Sequence, residues 1–446
     1  MDRPIHRVVD LIAPDSQLIF DMELTEARRV LLGHASGGVE SIDGSFALVA
    51  RDGERVALAR SLDRPLRYFL AKEASGPLLV VAERIDAIRA FLEREGYADQ
   101  FHPSYTRMVP AHHVTTIRLV GCPDPNPTYE RFVAPPGERL PCDLDVIGRQ
   151  YIAALRHEVA LWLRAIPSSE PLGVLFSGGI DSGAVLLTVY RLLLDMGQSP
   201  SRLKAFTLSI DGAGEDGSQA RAFLRQLDLE VLGETVEVAG EGLQPLVAVE
   251  VIEDYKPRDV ECATVNLALL EEIRRRYPGW RYLADGDGGD ENLKDYPIEE
   301  DRELTIVSVV GNPLLYHEGW GVDRIKHSLT YSGGQSRGCV RMFAPLQKYG
   351  FLGFSPFTRP AVVRVATAIP FDDLSRGSHE ALYALKGEVV RRGMQAVWGI
   401  EMPVFEKRRF QEGATSPSVF AHRFAAGPDA YREHFLSLHR ARAHAA

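Results

Sequence analysis

The hydrophobic pattern changes its period along the chain. Up to about residue 125 it is made of short apolar or alternating runs. Ser45–Ala50 and Arg55–Arg60 flank Arg51, Asp52, Gly53 and Glu54, which predicts a β-hairpin about an Asp-Gly turn. Leu78–Ala82 reads as another strand, Ile85–Glu95 as a helix, and His113–Val120 as the strand that closes this half. Two proline-rich stretches, Pro123–Pro127 and Ala134–Gly137, mark a connection. An amphipathic helix over Leu144–Ala165 follows. Strands and helices then alternate: strand Leu172–Phe176, a helix from Gly183, strand Lys204–Ile210, helix Gln219–Leu227, strand Thr235–Val238, two helical stretches and strand Arg281–Ala284. Such alternation predicts a doubly wound parallel sheet. Beyond about residue 295 the pattern is mostly helical, with turn-rich breaks at Tyr331–Ser336 and Ser355–Pro360. No internal repeat is present.

A chain of 446 residues is long for one core, so two domains are expected. The net charge of −10 argues against a nucleic-acid binder, which needs a basic stripe. An Arg/His-rich stretch from His439 ends the chain and is expected to be a surface or disordered tail. Cys122, Cys142, Cys262 and Cys339 lie far apart with no Cys-x-x-Cys pair, which suits a reducing cytoplasm better than zinc or a disulfide framework. His112 and His113 are adjacent and would project apart in a strand, which disfavours joint metal ligation. No stretch reaches the ~18 apolar residues that span a bilayer, and no signal-peptide core opens the sequence. The expected location is the cytoplasm, without membrane or nucleic-acid partners.

The most informative segment is Ser177, Gly178, Gly179, Ile180, Asp181 and Ser182, between a buried strand and a helix start. Backbone N–H groups, hydroxyls and the helix dipole favour an anion there. Adjacent glycines let phosphate oxygens approach the backbone. Asp181 would repel a phosphate unless a cation lay between them, so the segment reads as a magnesium-nucleotide site. The Gly-Lys-Ser/Thr ending of a Walker A loop is missing. A second segment, Asp285, Gly286, Asp287, Gly288, Gly289, Asp290, Glu291 and Asn292, follows a short apolar strand and suits an acidic loop at a strand's C-terminal end.

The first segment resembles the pyrophosphate loop of the ATP pyrophosphatase superfamily, whose members cleave ATP to AMP and pyrophosphate. The second is similar to the GEGSDE loop of asparagine synthetases and its counterpart in β-lactam synthetases. The resemblance implies ATP and Mg²⁺ as cofactors. It puts the metal on Asp181 and Asp290, and the nucleotide on Leu175, Ser177, Gly178, Gly179, Asp181, Ser182, Leu208, Asp285 and Gly286. In a third segment, from Glu406 to Thr415, Lys407 takes the family's lysine position, with Glu412 and Gly413 at an acid-glycine pair. A compact ammonium suits a developing oxyanion or a leaving pyrophosphate. Lys386 matches the family's lysine on a late helix, a candidate for pyrophosphate.

The resemblance extends to the first half. Ser41–Leu48 and Val81–Ile88 look like the later part of the glutaminase domain of asparagine synthetases. That domain uses an N-terminal cysteine thiol, whereas here Asp2 follows Met1 and no cysteine precedes Cys122. Without a thiolate there is no acyl-enzyme and no glutamine hydrolysis. The implied fold is an N-terminal β-rich, glutaminase-like (αββα-type) domain over 1–135, a doubly wound ATP pyrophosphatase domain with a helical C-terminal part over 145–425, and a tail over 426–446.

In this family a substrate carboxylate attacks the ATP α-phosphate and an amine then displaces AMP. Asparagine synthetases carry Gly-Leu-Glu-x-Arg-x-Pro-Phe-Leu-Asp where this chain has Gly350–Arg359. The acid is Leu352, the arginine Phe354 and the terminal aspartate Arg359, so aspartate is not the expected substrate. β-Lactam synthetases have a tyrosine at the position of Asp287, paired with a later glutamate; Glu318 lies near that place. Asp287, Glu318 and Lys407 are therefore the catalytic candidates. The expected function is an AMP-forming amide ligase of specialised biosynthesis, acting on a small carboxylic acid with an internal or free amine, a homodimer being allowed. The alternatives are an ammonia-dependent asparagine synthetase and a non-catalytic ATP-binding regulator.

Overall fold

The computed structural model describes residues 5–33, 36–118, 127–134, 136–212, 214–295, 298–300, 305–311, 339–405 and 413–439. Among them, ten strands precede residue 135: β1 (Arg7–Asp10), β2 (Leu18–Ile19), β3 (Gly44–Ser45), β4 (Ala47–Asp52), β5 (Arg55–Arg60), β6 (Arg67–Glu73), β7 (Gly76–Ala82), β8 (Arg107–Met108), β9 (His113–Ile117) and β10 (Thr128–Arg131). They build two four-stranded sheets, in the orders β1-β7-β6-β8 and β10-β9-β5-β4, with β2 and β3 paired separately. The period of two decides how the layers stack. Leu79 and Val81 of β7 meet Val49, Val56 and Leu58 of the other sheet in one core. Their neighbours Leu78 and Val80 turn the other way, onto Ile88, Phe91 and Leu92 of the helix Ile85–Arg94. On the far side Leu48 and Ala57 pack against Ala27 and Leu31 of the helix Leu24–Leu32. The stack is helix, sheet, sheet, helix.

The remainder is organised on one parallel sheet of β11 (Leu172–Leu175), β12 (Leu203–Ile210), β13 (Gly233–Val238), β14 (Tyr282–Ala284) and β15 (Leu352–Phe354), in the order β13-β12-β11-β14-β15. On one face the helices Leu144–Ala165, Ile180–Asp195 and His379–Trp398 share a core with the sheet, bringing Ile152, Leu155, Val389 and Val390 together. On the other, Phe206, Leu208 and Ile210 pack on Val265, Leu269 and Ile273 of the helix Pro257–Arg276. The sheet is doubly wound. After β11 the chain steps outward to β12 and β13, then returns to the opposite side for β14. The switch in direction lies between β11 and β14, where open α/β sheets bind ligands.

Two features differ from the sequence reading. Leu352–Phe354 is an edge strand, parallel to β14, inside a stretch expected to be helix and turn. The stretch expected as a tail contains the helix Gly427–Leu438, which buries Tyr431 and Phe435 against Ala248, Val260 and Ala263. Its apolar residues are four apart, so they share one helix face and find an apolar seat.

The two parts are joined by polar contacts. Glu253, at the C-terminal end of the helix Pro245–Ile252, accepts hydrogen bonds from the N–H groups of Ile85 (2.7 Å) and Asp86 (2.8 Å) and so caps the helix Ile85–Arg94 from outside. Arg84 donates to the Val251 carbonyl at 2.6 Å. Arg64, fully buried, pairs with Glu83, and its guanidinium lies 4.9 Å from the Phe343 ring centre. Among the described residues no helix is long and apolar enough to cross a membrane.

Candidate active site

Strand β11 runs into the turn Phe176–Gly179 and then into the helix Ile180–Asp195. Gly178 adopts φ +77°, and a Cβ there would lie 2.7 Å from the Ala220 nitrogen. Only glycine meets both demands. The hydroxyls knit the turn: Gly179 N–H donates to Ser177 Oγ at 3.3 Å, and Ser177 N–H donates to Ser182 Oγ at 3.3 Å. Asp181 sits in the first turn of the helix.

Strand β14 ends one residue before Asp285, which is buried. Ser355, just past β15, donates its hydroxyl to Asp285 Oδ2 at 2.9 Å, and the Asp287 N–H donates to Oδ1 at 2.9 Å. Burial, reinforced by the charge of Asp287, raises the Asp285 carboxyl well above the usual carboxylate range. Gly286 presses on the first loop: a Cβ there would come within 2.8 Å of the Ser182 nitrogen. The short helix Gly289–Asn292 then carries Asp290, and Asn292 ties it down by donating to Tyr151 Oη (3.1 Å) and the Phe357 carbonyl (2.9 Å).

Lys386 joins the two loops. From the helix His379–Trp398 its buried ammonium reaches Asp181 Oδ2 at 2.5 Å, Asp290 Oδ1 at shorter range, and Asp295 Oδ2 at 3.3 Å. Burial alone would depress this lysine, but Asp181, Asp290 and Asp295 together hold it well above its ordinary value. Asp181 and Asp290 thus face one cation position. That is the arrangement two aspartates need to share a divalent ion with phosphate oxygens. Among the described residues no three histidine, cysteine or carboxylate side chains form a ready-made metal site. The two aspartates fit an ion whose remaining ligands come with a nucleotide.

The loops open on a cavity of about 860 Å³, within the range that holds small-molecule ligands. Leu175, Ser177, Gly179, Asp181, Ser182, Asp285, Gly286, Asp287, Asp290 and Lys386 line it, whereas Gly178, buttressed against Ala220, is not part of the lining. Leu208 does not: the alternation along β12 turns its side chain into the core beneath the helix Pro257–Arg276. Glu318, Lys407 and Glu412 lie outside the described residues. Gly413 packs on Asp216, which lines the cavity, and the Ala414 carbonyl accepts from Ile210 N–H at 2.9 Å at the end of β12. Phe405, on the near side of the third segment, also lines the cavity.

Arg341 adds a largely buried cation to the cavity wall. Arg341, in the π-helical turn Cys339–Phe343, lies 3.2 Å from Glu291 Oε1 and 3.9 Å from Asp287 Oδ2. Burial opposes its charge, yet Asp287 and Glu291 drive it well above its usual value. Asn266 fixes the turn by donating to the Arg341 carbonyl at 3.1 Å. No periodicity or motif marks Arg341 in the sequence. Asp295 is different: it continues the acidic run that holds Asp290.

Residues 153–316 match the asparagine synthase family model. Over that span the chain is asparagine synthetase-like. The match begins within the helix Leu144–Ala165 and takes in both loops of the cavity, Ser177–Ser182 and Asp285–Asn292. The match covers less than half of the chain. No curated protein shows significant similarity to the chain.

Proposed function

We propose that this protein is an AMP-forming amide ligase of specialised biosynthesis. It activates a small carboxylic acid with Mg²⁺-ATP as an acyl adenylate, and an internal or free amine then displaces AMP. The observation that carries this reading is the convergence of Asp181 and Asp290 on one cation position at the switch point of the sheet, in the cavity that holds the serine and glycine loop. Ser177, Gly179 and Ser182 offer donors to phosphate oxygens at the N-terminus of the helix Ile180–Asp195. The metal, when bound between Asp181 and Asp290, would neutralise phosphate charge.

The acid's carboxylate oxygen attacks the α-phosphorus and pyrophosphate leaves; the amine nitrogen attacks the acyl carbon, the C–O bond to AMP breaks, and one proton is lost. Asp287, at the cavity wall between Asp285 and Arg341, is the candidate acceptor of that proton. Lys407 is the candidate donor to the tetrahedral intermediate; Phe405 and Gly413, on either side of its segment, border the cavity region. Against aspartate as the acid stand Leu352 and Phe354. They lie on the edge strand β15, and Phe354 stacks on Trp162 with ring centres 4.9 Å apart, so neither offers a charge to a small zwitterion.

The test is an ATP–pyrophosphate exchange screen over carboxylic acids with Mg²⁺ present, followed by AMP release on adding amines. Exchange with a non-aspartate acid is the expected result. Exchange confined to aspartate would replace this reading by ammonia-dependent asparagine synthesis, and ATP binding with no exchange for any acid would overturn it.

A further inference from the structure

Lys386 stands where a divalent ion would stand, and a third acid, Asp295, holds it there. Its Nζ contacts Asp181 and Asp290, the two carboxylates assigned to the metal, and lies 3.3 Å from Asp295 Oδ2. The ammonium is almost fully buried and the Asp295 side chain largely so, whereas that of Asp290 is 38% exposed. Asp295 is held by its own backbone as well, its N–H donating to the Asp290 carbonyl at 3.0 Å. Asp295 is thus fixed to the metal loop and faces the lysine from the more enclosed side.

We propose that Lys386 is the resident counter-cation of the nucleotide-free site and that Asp295 is its positioning residue. Three carboxylates around one small space repel each other unless a cation lies among them. With the ammonium in place, a bare divalent ion must displace it and gains only two carboxylates. A metal–nucleotide complex brings phosphate oxygens to which the ammonium can turn while still anchored on Asp295. The site therefore admits the metal as part of the nucleotide complex and disfavours it alone. This inference rests on the reading that Asp181 and Asp290 hold the metal.

The experiment measures free Mn²⁺ by electron paramagnetic resonance during titration of the nucleotide-free full chain. Circular dichroism of each variant confirms the fold. Wild type is expected to bind Mn²⁺ alone only weakly. Lys386→Met should bind it at least about tenfold more tightly, because the three carboxylates lose their resident cation. Lys386→Gln serves if the methionine variant does not fold. Asp295→Asn should weaken binding of Mn²⁺ with a non-hydrolysable ATP analogue by about tenfold. Asp295→Glu should restore it. Wild type binding Mn²⁺ alone as tightly as Lys386→Met would overturn the counter-cation role. Asp295→Asn binding the metal–nucleotide complex like wild type would overturn the positioning role. Asp290→Asn tests the underlying reading separately: if it keeps metal-dependent nucleotide binding, the metal assignment itself fails, whatever the Lys386 variants do.

Discussion

Arg359 Nη1 lies 3.4 Å from Asp63 Oδ1, with both side chains almost fully buried. Glu158 Oε2 stands 3.9 Å from Arg359 Nε. The contact links the β4–β5 half of the molecule, just past β5, to the turn after β15 that also supplies Ser355 to Asp285. Asparagine synthetases carry an aspartate in the position of Arg359; here the sign is reversed and the charge is turned inward, to a partner in the other half. Asp63→Asn should cost on the order of 3–5 kcal/mol, the usual penalty for leaving one member of a buried pair behind. Chemical denaturation measures this, and a loss below about 1 kcal/mol would mean that Glu158 alone compensates Arg359.

Asp290 offers a cleaner test of the site than any core residue, because its side chain is 38% exposed and its removal leaves the packing intact. Asp290→Asn should melt close to wild type while pyrophosphate exchange falls by roughly 10²-fold or more, since phosphate charge is left uncompensated. Exchange near the wild-type rate would remove Asp290 from the metal.

Lys407→Met should reduce the rate on the order of 10²–10³-fold, the typical cost of one lost oxyanion donor, with ATP affinity changed less. Arginine should rescue poorly, because its planar fork does not replace a point charge. Alanine at Arg408 and Arg409 should be nearly silent. Equal losses at Lys407 and Arg409 would show that the ammonium has no special place.

His113 supplies a pH dependence. Burial lowers its imidazole to about 4, against an ordinary 6.5, although its Nδ1 lies 2.7 Å from the Ala111 carbonyl. The folded state therefore takes up fewer protons than the unfolded chain between these values. Stability is intact above pH 6.5 and is lost progressively as pH falls toward 4, by about 3 kcal/mol from this group. Subtracting the pH–stability curve of His113→Gln from that of wild type should isolate that slope, and parallel curves would refute it.

Much of the fold could be read from the sequence where local signals are strong. The helix Leu144–Ala165 is bounded as expected because Asp143 caps it, its Oδ1 accepting from Asp145 N–H at 2.9 Å and Val146 N–H at 3.2 Å. The loops at Ser177 and Asp285 were legible because glycines and acids at strand ends have few other uses. Strand β15 was not, since three residues with Gly353 at the centre carry no period of their own and become a strand only by pairing with β14. Likewise, pattern alone gives no sign that Lys386 reaches Asp181, or that Arg341 reaches Glu291. Both contacts depend on how distant helices close over the sheet.

The pairing of the helix Leu144–Ala165 with the helix His379–Trp398 has a consequence during translation. The first helix emerges early with Tyr151, Ile152 and Leu155 ready for burial, but the partner that supplies Val389 and Val390 is made more than two hundred residues later. At roughly 5–20 residues per second the wait is on the order of ten seconds or more. Through that interval the N-terminal sheets can already fold on local pairings, while an apolar helix face protrudes from them without its cover. Non-local closure of this kind slows folding and exposes the nascent chain to aggregation. Ribosome-bound chains ending before residue 379 should thus be strong chaperone substrates.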